Sequence, residues 1–196
     1  MLLGLSTSTE ALSVALWDGE RLVASFHDII GRGHAERLLP VVADVVGTAR
    51  ASAVAVDCGP GSFTGVRVGI AAARGLGIAW NAPVRGFSSL PLMAAAVEGD
   101  GPFAIANRAG HGEIFLQMFA RPPLRSLGPA KSVHPDEAAR LVGDAPVHGT
   151  GAGLFAAEAP GPAYPDVRHL RALPPELLDL PPRPLYLRAP DVKPPA

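Results

Sequence analysis

The sequence predicts an α/β fold. Two patterns carry that expectation: three apolar, strand-length runs precede any helix, and a short β-branched run then leads through a glycine-rich loop into a long apolar helix. At 196 residues and 48% hydrophobic side chains, the chain can bury a sizeable core as one domain or two small lobes.

The first strand starts at Met1 to Leu5. Ala11 to Trp17 alternates well enough for a second, and Asp18-Gly19 makes the hairpin turn into a third, Arg21 to His27. Leu38, Leu39, Val41, Val42, Val45 and Val46 then form a helical stripe from about His34 to Thr48, with Pro40 tolerable near its first turn. Ala53-Val54-Ala55-Val56 reads as a buried strand that ends at Asp57, Cys58 and a Gly-Pro-Gly turn. The turn opens a proline-free helix from Phe63 to Asn81, capped by Ser62 or Thr64. Within it Gly61, Gly65, Gly69, Ala73 and Gly77 recur every four residues, leaving one stripe almost without side chains. Each interior glycine costs about 1 kcal/mol relative to alanine, so the stripe predicts close packing against a neighbouring helix. A strand from Pro83 to Phe87 completes a βββαβαβ order. This order matches half of an actin-like ATPase (ribonuclease-H-like) fold.

After about Gly101 proline becomes frequent. Phe103 to Asn107 and Ile114 to Phe119 read as paired strands, Asp136 to Val142 as a short helix, and Pro146 to Gly153 as a strand and turn. From Pro160 the chain reads as extended, with a loose tail from Asp191 to Ala196. The expected division is 1–101 for an N-terminal lobe and 102–196 for a shorter C-terminal one.

A glycine-rich strand-to-helix loop can hold phosphate on its amides. Ser6, Thr7, Ser8, Gly59, Gly61, Ser62, Gly149 and Gly151 are the candidates for such a nucleotide or phosphate loop. The sequence has neither the Gly-Lys-Ser/Thr ending of a P-loop nor the Gly-x-Gly-x-x-Gly spacing of a dinucleotide fold, so a plain turn ahead of a core or interface helix competes with that role. Arg67 and Arg74 inside the apolar helix argue against a membrane span. Net charge is −1, with no Lys/Arg cluster, which argues against a chain that grips nucleic acid through its own basic face. Cys58 is the only cysteine, so no internal disulfide forms and a reducing compartment is the simpler expectation. No basic segment followed by an apolar run and cleavage site opens the sequence, and cytoplasm is expected by default. Six histidines, His27, His34, His111, His134, His148 and His169, form no short ligand spacing and no His-Glu-x-x-His, so neither a metal site nor catalytic residues are expected.

The run Gly59-Pro60-Gly61-Ser62-Phe63-Thr64-Gly65-Val66-Arg67-Val68-Gly69 resembles the signature of the TsaB (YeaZ) family, grouped with the glycoproteases and related to TsaD. Gly112-Glu113-Ile114-Phe115 and Pro184-Leu185-Tyr186-Leu187-Arg188 fit the same resemblance. Relatives usually read Asp-Thr-Ser at the first turn, where this chain has Ser6-Thr7-Ser8-Thr9; a hydroxyl cannot hold Mg²⁺ with a carboxylate's charge. They commonly carry Asp-Ala-Arg where Asn107-Arg108-Ala109 stands, and the metal-binding histidine pair of TsaD falls at Ser89 and Met93. The resemblance therefore implies a non-catalytic subunit of N6-threonylcarbamoyladenosine synthesis on tRNA. Its partners would be TsaD and TsaE, or a second copy in a homodimer, with tRNA met only through the complex. It implies no cofactor of its own, ATP or ADP entering at most at the complex seam. The surface implied for the partner is Leu38, Leu39, Val42, Val66, Gly69, Ile70, Ala73 and Arg74. An ATP-binding phosphotransferase or ATPase is the alternative, and a glycoprotease-type peptidase the weakest, since no nucleophile, base and metal set can be assembled.

Overall fold

The computed structural model describes residues 1–187; Arg188 of the Tyr-Leu-Arg element and the 191–196 tail lie outside them. Three strands come first: β1 (Leu2–Ser6), β2 (Ala11–Asp18) and β3 (Arg21–Ile29). Then follow α1 (His34–Val46), β4 (Ala53–Asp57), α2 (Phe63–Trp80), β5 (Val84–Phe87) and α3 (Ser89–Ala95). The second half holds β6 (Gly101–Arg108), β7 (Ile114–Arg121), β8 (Arg125–Ser126), β9 (Lys131–Val133), α4 (Pro135–Val142) and β10 (Val147–His148). Short 3₁₀ turns close it at Val167–Ala172 and Pro175–Leu177, where extended chain was expected. Asp166 makes the first of these by accepting the Arg168 amide hydrogen.

The first sheet has the order β3-β2-β1-β4-β5, antiparallel through β1, β2 and β3 and parallel from β1 to β4 to β5. The second runs β10-β6-β7-β8, with β9 also on β7. Because side chains alternate along a strand, the first sheet feeds two separate cores. Leu3, Leu5, Leu12, Val14 and Leu16 face α1 and α2, meeting Leu38, Val41, Val42, Val66, Ile70 and Ala73. Ala15, Trp17, Ala55 and Phe87 point the other way and share one cluster with α3 and with Phe103, Ile105 and Phe119 of the second sheet. The two sheets are thus joined by a common apolar layer.

The long helix is sharply bounded. The Ser62 hydroxyl accepts the Gly65 amide at its start, and Asn81 ends it in a left-handed turn at φ 52°. Its glycine stripe meets strands of its own sheet instead of a neighbouring helix. A Cβ on Gly65 would stand 2.0 Å from the Thr7 carbonyl oxygen, one on Gly69 2.5 Å from Thr7 Oγ1, and one on Gly77 2.5 Å from Val84 Cγ2. The missing side chains let α2 lie directly on the β1–β2 turn and on β5. α1 begins at His34 as expected, which puts Pro40 in its second turn and not its first.

Candidate functional site

A cleft of about 1000 Å³ opens where the first turns of α1 and α2 face the second sheet. One wall is Ser8–Glu10, Gly31–Glu36 and Pro60–Gly65; the other is Asn107–Gly110, Phe115, Thr150 and Tyr164. Below it lies a carboxylate that the first-turn motif lacks. Asp57, at the end of β4, is 1% exposed and accepts hydrogen bonds from Ser6 Oγ (2.7 Å), Ser8 Oγ (2.6 Å) and the Gly59 amide (2.8 Å). Burial pushes its pKa up to about 6, against the pull of those three donors. The carboxylate therefore comes from β4, a signal available in the sequence as the charge that ends the apolar run Ala53-Val54-Ala55-Val56.

Of the loop candidates, Ser8, Gly61 and Ser62 line this cleft, while Ser6, Thr7 and Gly59 lie behind them and Gly149 and Gly151 flank the lining residue Thr150 on the other side. Ser6, Thr7 and Ser8 are buried, and the Thr7 hydroxyl donates to the Gly65 carbonyl at 2.7 Å. The Ser62 amide bonds the Ser8 carbonyl at 2.7 Å, joining the two turns directly. A Cβ on Gly61 would meet that same carbonyl oxygen at 2.0 Å. On the facing wall Gly149 has φ 110°, the Thr150 amide bonds Asn107 Oδ1 at 3.2 Å and the Gly151 amide bonds the Ala106 carbonyl at 2.9 Å. Asn107 also donates through Nδ2 to Met93 Sδ. Ser89 and Met93 are both wholly buried in α3, and Ser89 Oγ donates to the Pro60 carbonyl at 2.8 Å. Side chains bearing charge sit on the rim: Glu10, Arg32, Glu36 and Arg108. Tyr164 spans that rim by donating to Glu10 Oε2 at 2.5 Å. His34 lies within 3.2 Å of the Ala11 carbonyl, an acceptor only, so its Nε2 carries the proton. Cys58 is buried, its thiol pushed up to about 12 by burial and then by the Asp57 charge, which removes it as a nucleophile.

The partner surface drawn from the sequence needs correction. Leu38, Val42, Val66, Ile70 and Ala73 are 0–4% exposed and Gly69 is buried; all six belong to the chain's own interior because the apolar stripes of α1 and α2 turn toward the sheet. Leu39 and Arg74 remain outside. What the helices do present outward is a different apolar ridge. It comprises Leu39 (53% exposed) and Ala43 on α1, with Ala71, Gly75 and Ile78 (84% exposed) on α2. The sequence reading missed it because small and aliphatic residues occupy both faces of α2. The sequence singled out the Pro184-Leu185-Tyr186 element but not its place: residues 179–187 lie beside that ridge, where Tyr186 packs on Phe63 with ring centroids 5.1 Å apart.

Sheet order, helix placement and cleft define an α/β protein of the actin-like, ribonuclease-H-like class. Residues 28–123 match the family model described as TsaD, tRNA N6-adenosine threonylcarbamoyltransferase. YeaZ from Pseudomonas aeruginosa superposes with a TM-score of 0.80 at 30% identity, over 95% of this chain and 99% of that one. The tRNA threonylcarbamoyladenosine biosynthesis protein TsaB of Escherichia coli is 44% identical over 128 residues, 61% of this chain, a match that spans 55% of the Escherichia coli protein. An uncharacterised Mycobacterium tuberculosis protein is 36% identical across 98% of this chain and 93% of its own length. The chain belongs to the TsaB (YeaZ) family.

Proposed function

We propose that this protein is a non-catalytic subunit in the synthesis of N6-threonylcarbamoyladenosine on tRNA, the adenosine being the one beside the anticodon. Its task is to dock on a TsaD-type transferase and support it. TsaE is recruited to the pair, and tRNA is met by the assembly; a homodimer uses the same surface when the partner is absent. The observation that carries this reading is the outward ridge of α1 and α2, where Leu39 and Ile78 stand 53% and 84% exposed beside alanines and a glycine. Apolar helix faces of this kind drive association over about 1,200–2,000 Å² in total. The Ser6, Thr7 and Ser8 hydroxyls and the Gly59, Ser62, Thr150 and Gly151 amides are hydrogen-bonded within the chain, which supports a reading without a catalytic role or a cofactor of its own, ATP or ADP entering at most at the complex seam. The expected compartment is the cytoplasm, where tRNA is modified.

A second reading, an ATP-binding phosphotransferase, draws on the cleft volume of about 1000 Å³ and the Arg32 and Arg108 rim. Co-expression with the TsaD-type protein of the same organism separates the two, read by size exclusion with light scattering. A one-to-one complex is expected for the wild type. Ile78→Asp should lose it while keeping the wild-type circular dichroism spectrum, because the side chain lies outside the core. Two folded proteins that elute apart, together with magnesium-dependent nucleotide binding by this chain alone, would replace the first reading with the second.

A further inference from the structure

Residues 179–187 lie across the β5 edge of the first sheet and the flank of α2. Their inner anchors are main-chain bonds: the Gly86 amide to the Leu180 carbonyl at 2.6 Å, the Leu180 amide back to Gly86 at 3.0 Å, and the Leu185 amide to the Cys58 carbonyl at 2.8 Å. Leu185 also packs on the α1–α2 core. The outer contacts are of another kind. Arg74 Nη2 donates to the Pro182 carbonyl at 2.7 Å, and Arg67 Nε donates to the Tyr186 hydroxyl at 2.9 Å, its guanidinium lying 5.8 Å from the Phe63 ring centroid and 5.7 Å from that of Tyr186. Arg67 and Arg74 are the only charged side chains on α2, both are exposed, and both are engaged by this segment.

Helix geometry sets where that matters. At 100° per residue Phe63, Arg67 and Arg74 share one flank of α2, while Val68, Ala72 and Leu76 share the opposite one and pack toward the α1 core. The exposed ridge of Ala71, Gly75 and Ile78 runs between the two flanks. A partner seated on the ridge therefore has α1 on one side and the 179–187 strap on the other.

We propose that the Tyr186–Arg67 contact is an intramolecular clasp that competes with the docking partner, and that the partner surface facing this flank is acidic, its carboxylates taking Arg67 and Arg74 from Tyr186 and Pro182. The proposal rests on the docking reading above. A guanidinium can form two parallel bonds with a carboxylate of opposite charge, whereas Tyr186 and Pro182 each offer it one neutral acceptor. The exchange is thus favourable for an acidic partner and unfavourable for an apolar one. The main-chain anchors at Leu180 and Leu185 hold the inner part of the strap while its outer end is released.

The test is calorimetric titration of the TsaD-type partner into wild type, Tyr186→Phe, Tyr186→Ala and Arg67→Gln, with hydrogen exchange of residues 186–187 followed with and without partner. Tyr186 is 45% exposed, so both of its variants retain the fold. Tyr186→Phe should bind about threefold tighter, the scale of one exposed hydrogen bond, and Tyr186→Ala about tenfold tighter. Arg67→Gln should bind at least fivefold weaker, and the amides of residues 186–187 should exchange faster in the complex. If Tyr186→Phe and Tyr186→Ala bind as the wild type does or more weakly, or if partner slows exchange at 186–187, the strap is part of the docked surface and the clasp is refuted. A wild type that binds no partner at all would refute the docking reading itself, a pattern distinct from equal binding by all four proteins.

Discussion

Gly65 shows how closely the signature loop is packed. Its missing Cβ would sit 2.0 Å from a main-chain oxygen of the β1–β2 turn, which cannot rotate away as a side chain would. Gly65→Ala should therefore lower stability by about 3 kcal/mol, measured by urea unfolding, and shift the midpoint without changing the slope. Asp57 makes a prediction of opposite character. Its folded pKa of about 6 lies above its ordinary 3.8, so the native state binds more protons than the unfolded chain between those values, and stability from this group falls as pH rises from about 4 to about 6. Asp166 behaves in reverse. Burial draws its pKa up, but the bonds from the Arg168 side chain and amide hold it below the ordinary value, so its contribution is lost only as pH falls beneath about 4. Subtracting the Asp57→Asn stability profile from that of wild type should leave a slope of at most about 1.4 kcal/mol per pH unit, confined to the higher window. A flat difference would show that Asp57 titrates alike in both states.

The elements were readable wherever a hydrophobic period was long. The β1 to β5 order with its two helices was legible because β-branched runs, a Ser62 cap and a glycine-rich turn all agree at those positions. α3 was not, since Ser89–Ala95 is buried on every side and so carries no amphipathic period. The 3₁₀ turns at Val167–Ala172 and Pro175–Leu177 were hidden by the surrounding prolines, which read as extended chain. Of the site, the glycine turns were visible and their role was not. Spacing shows that a backbone comes close at Gly65 and Gly69, but it does not say whether the neighbour is a partner helix or the chain's own Thr7. The same ambiguity put most of the expected partner surface on the face of α2 that the chain buries in its own core. A pair of substitutions resolves it on each helix: Val42→Asp should unfold the protein in thermal denaturation, whereas Leu39→Asp should leave the melting temperature within a few degrees of wild type and abolish association.

At the scale of the molecule, the two sheets share one apolar layer, and this predicts their cooperativity. Trp17 lies in that layer and Trp80 packs on the separate α1–α2 core, so the two tryptophans of the sequence report on opposite faces of the first sheet. Single-tryptophan variants Trp17→Phe and Trp80→Phe should each show one unfolding transition, and each fluorescence midpoint should coincide with that variant's circular dichroism midpoint. A fluorescence transition well separated from the circular dichroism one in either variant would mean that the sheets unfold as independent units. The molecule also engages its polar loop atoms internally while leaving aliphatic side chains outside at Leu39 and Ile78. This distribution suits a subunit that supplies shape to a partner.

The shared layer also has a consequence during synthesis. Trp17 and Phe87 are covered partly by Val167, Leu170 and Leu173, which leave the ribosome some eighty to one hundred and fifty residues later. Until then the nascent first sheet has one finished side, roofed by α1 and α2, and one bare side floored by α3. Translation at roughly 5–20 residues per second leaves that surface uncovered for several seconds or more. Contacts so distant in sequence are expected to close slowly, and the exposed apolar layer is expected to make the nascent chain prone to association until they do.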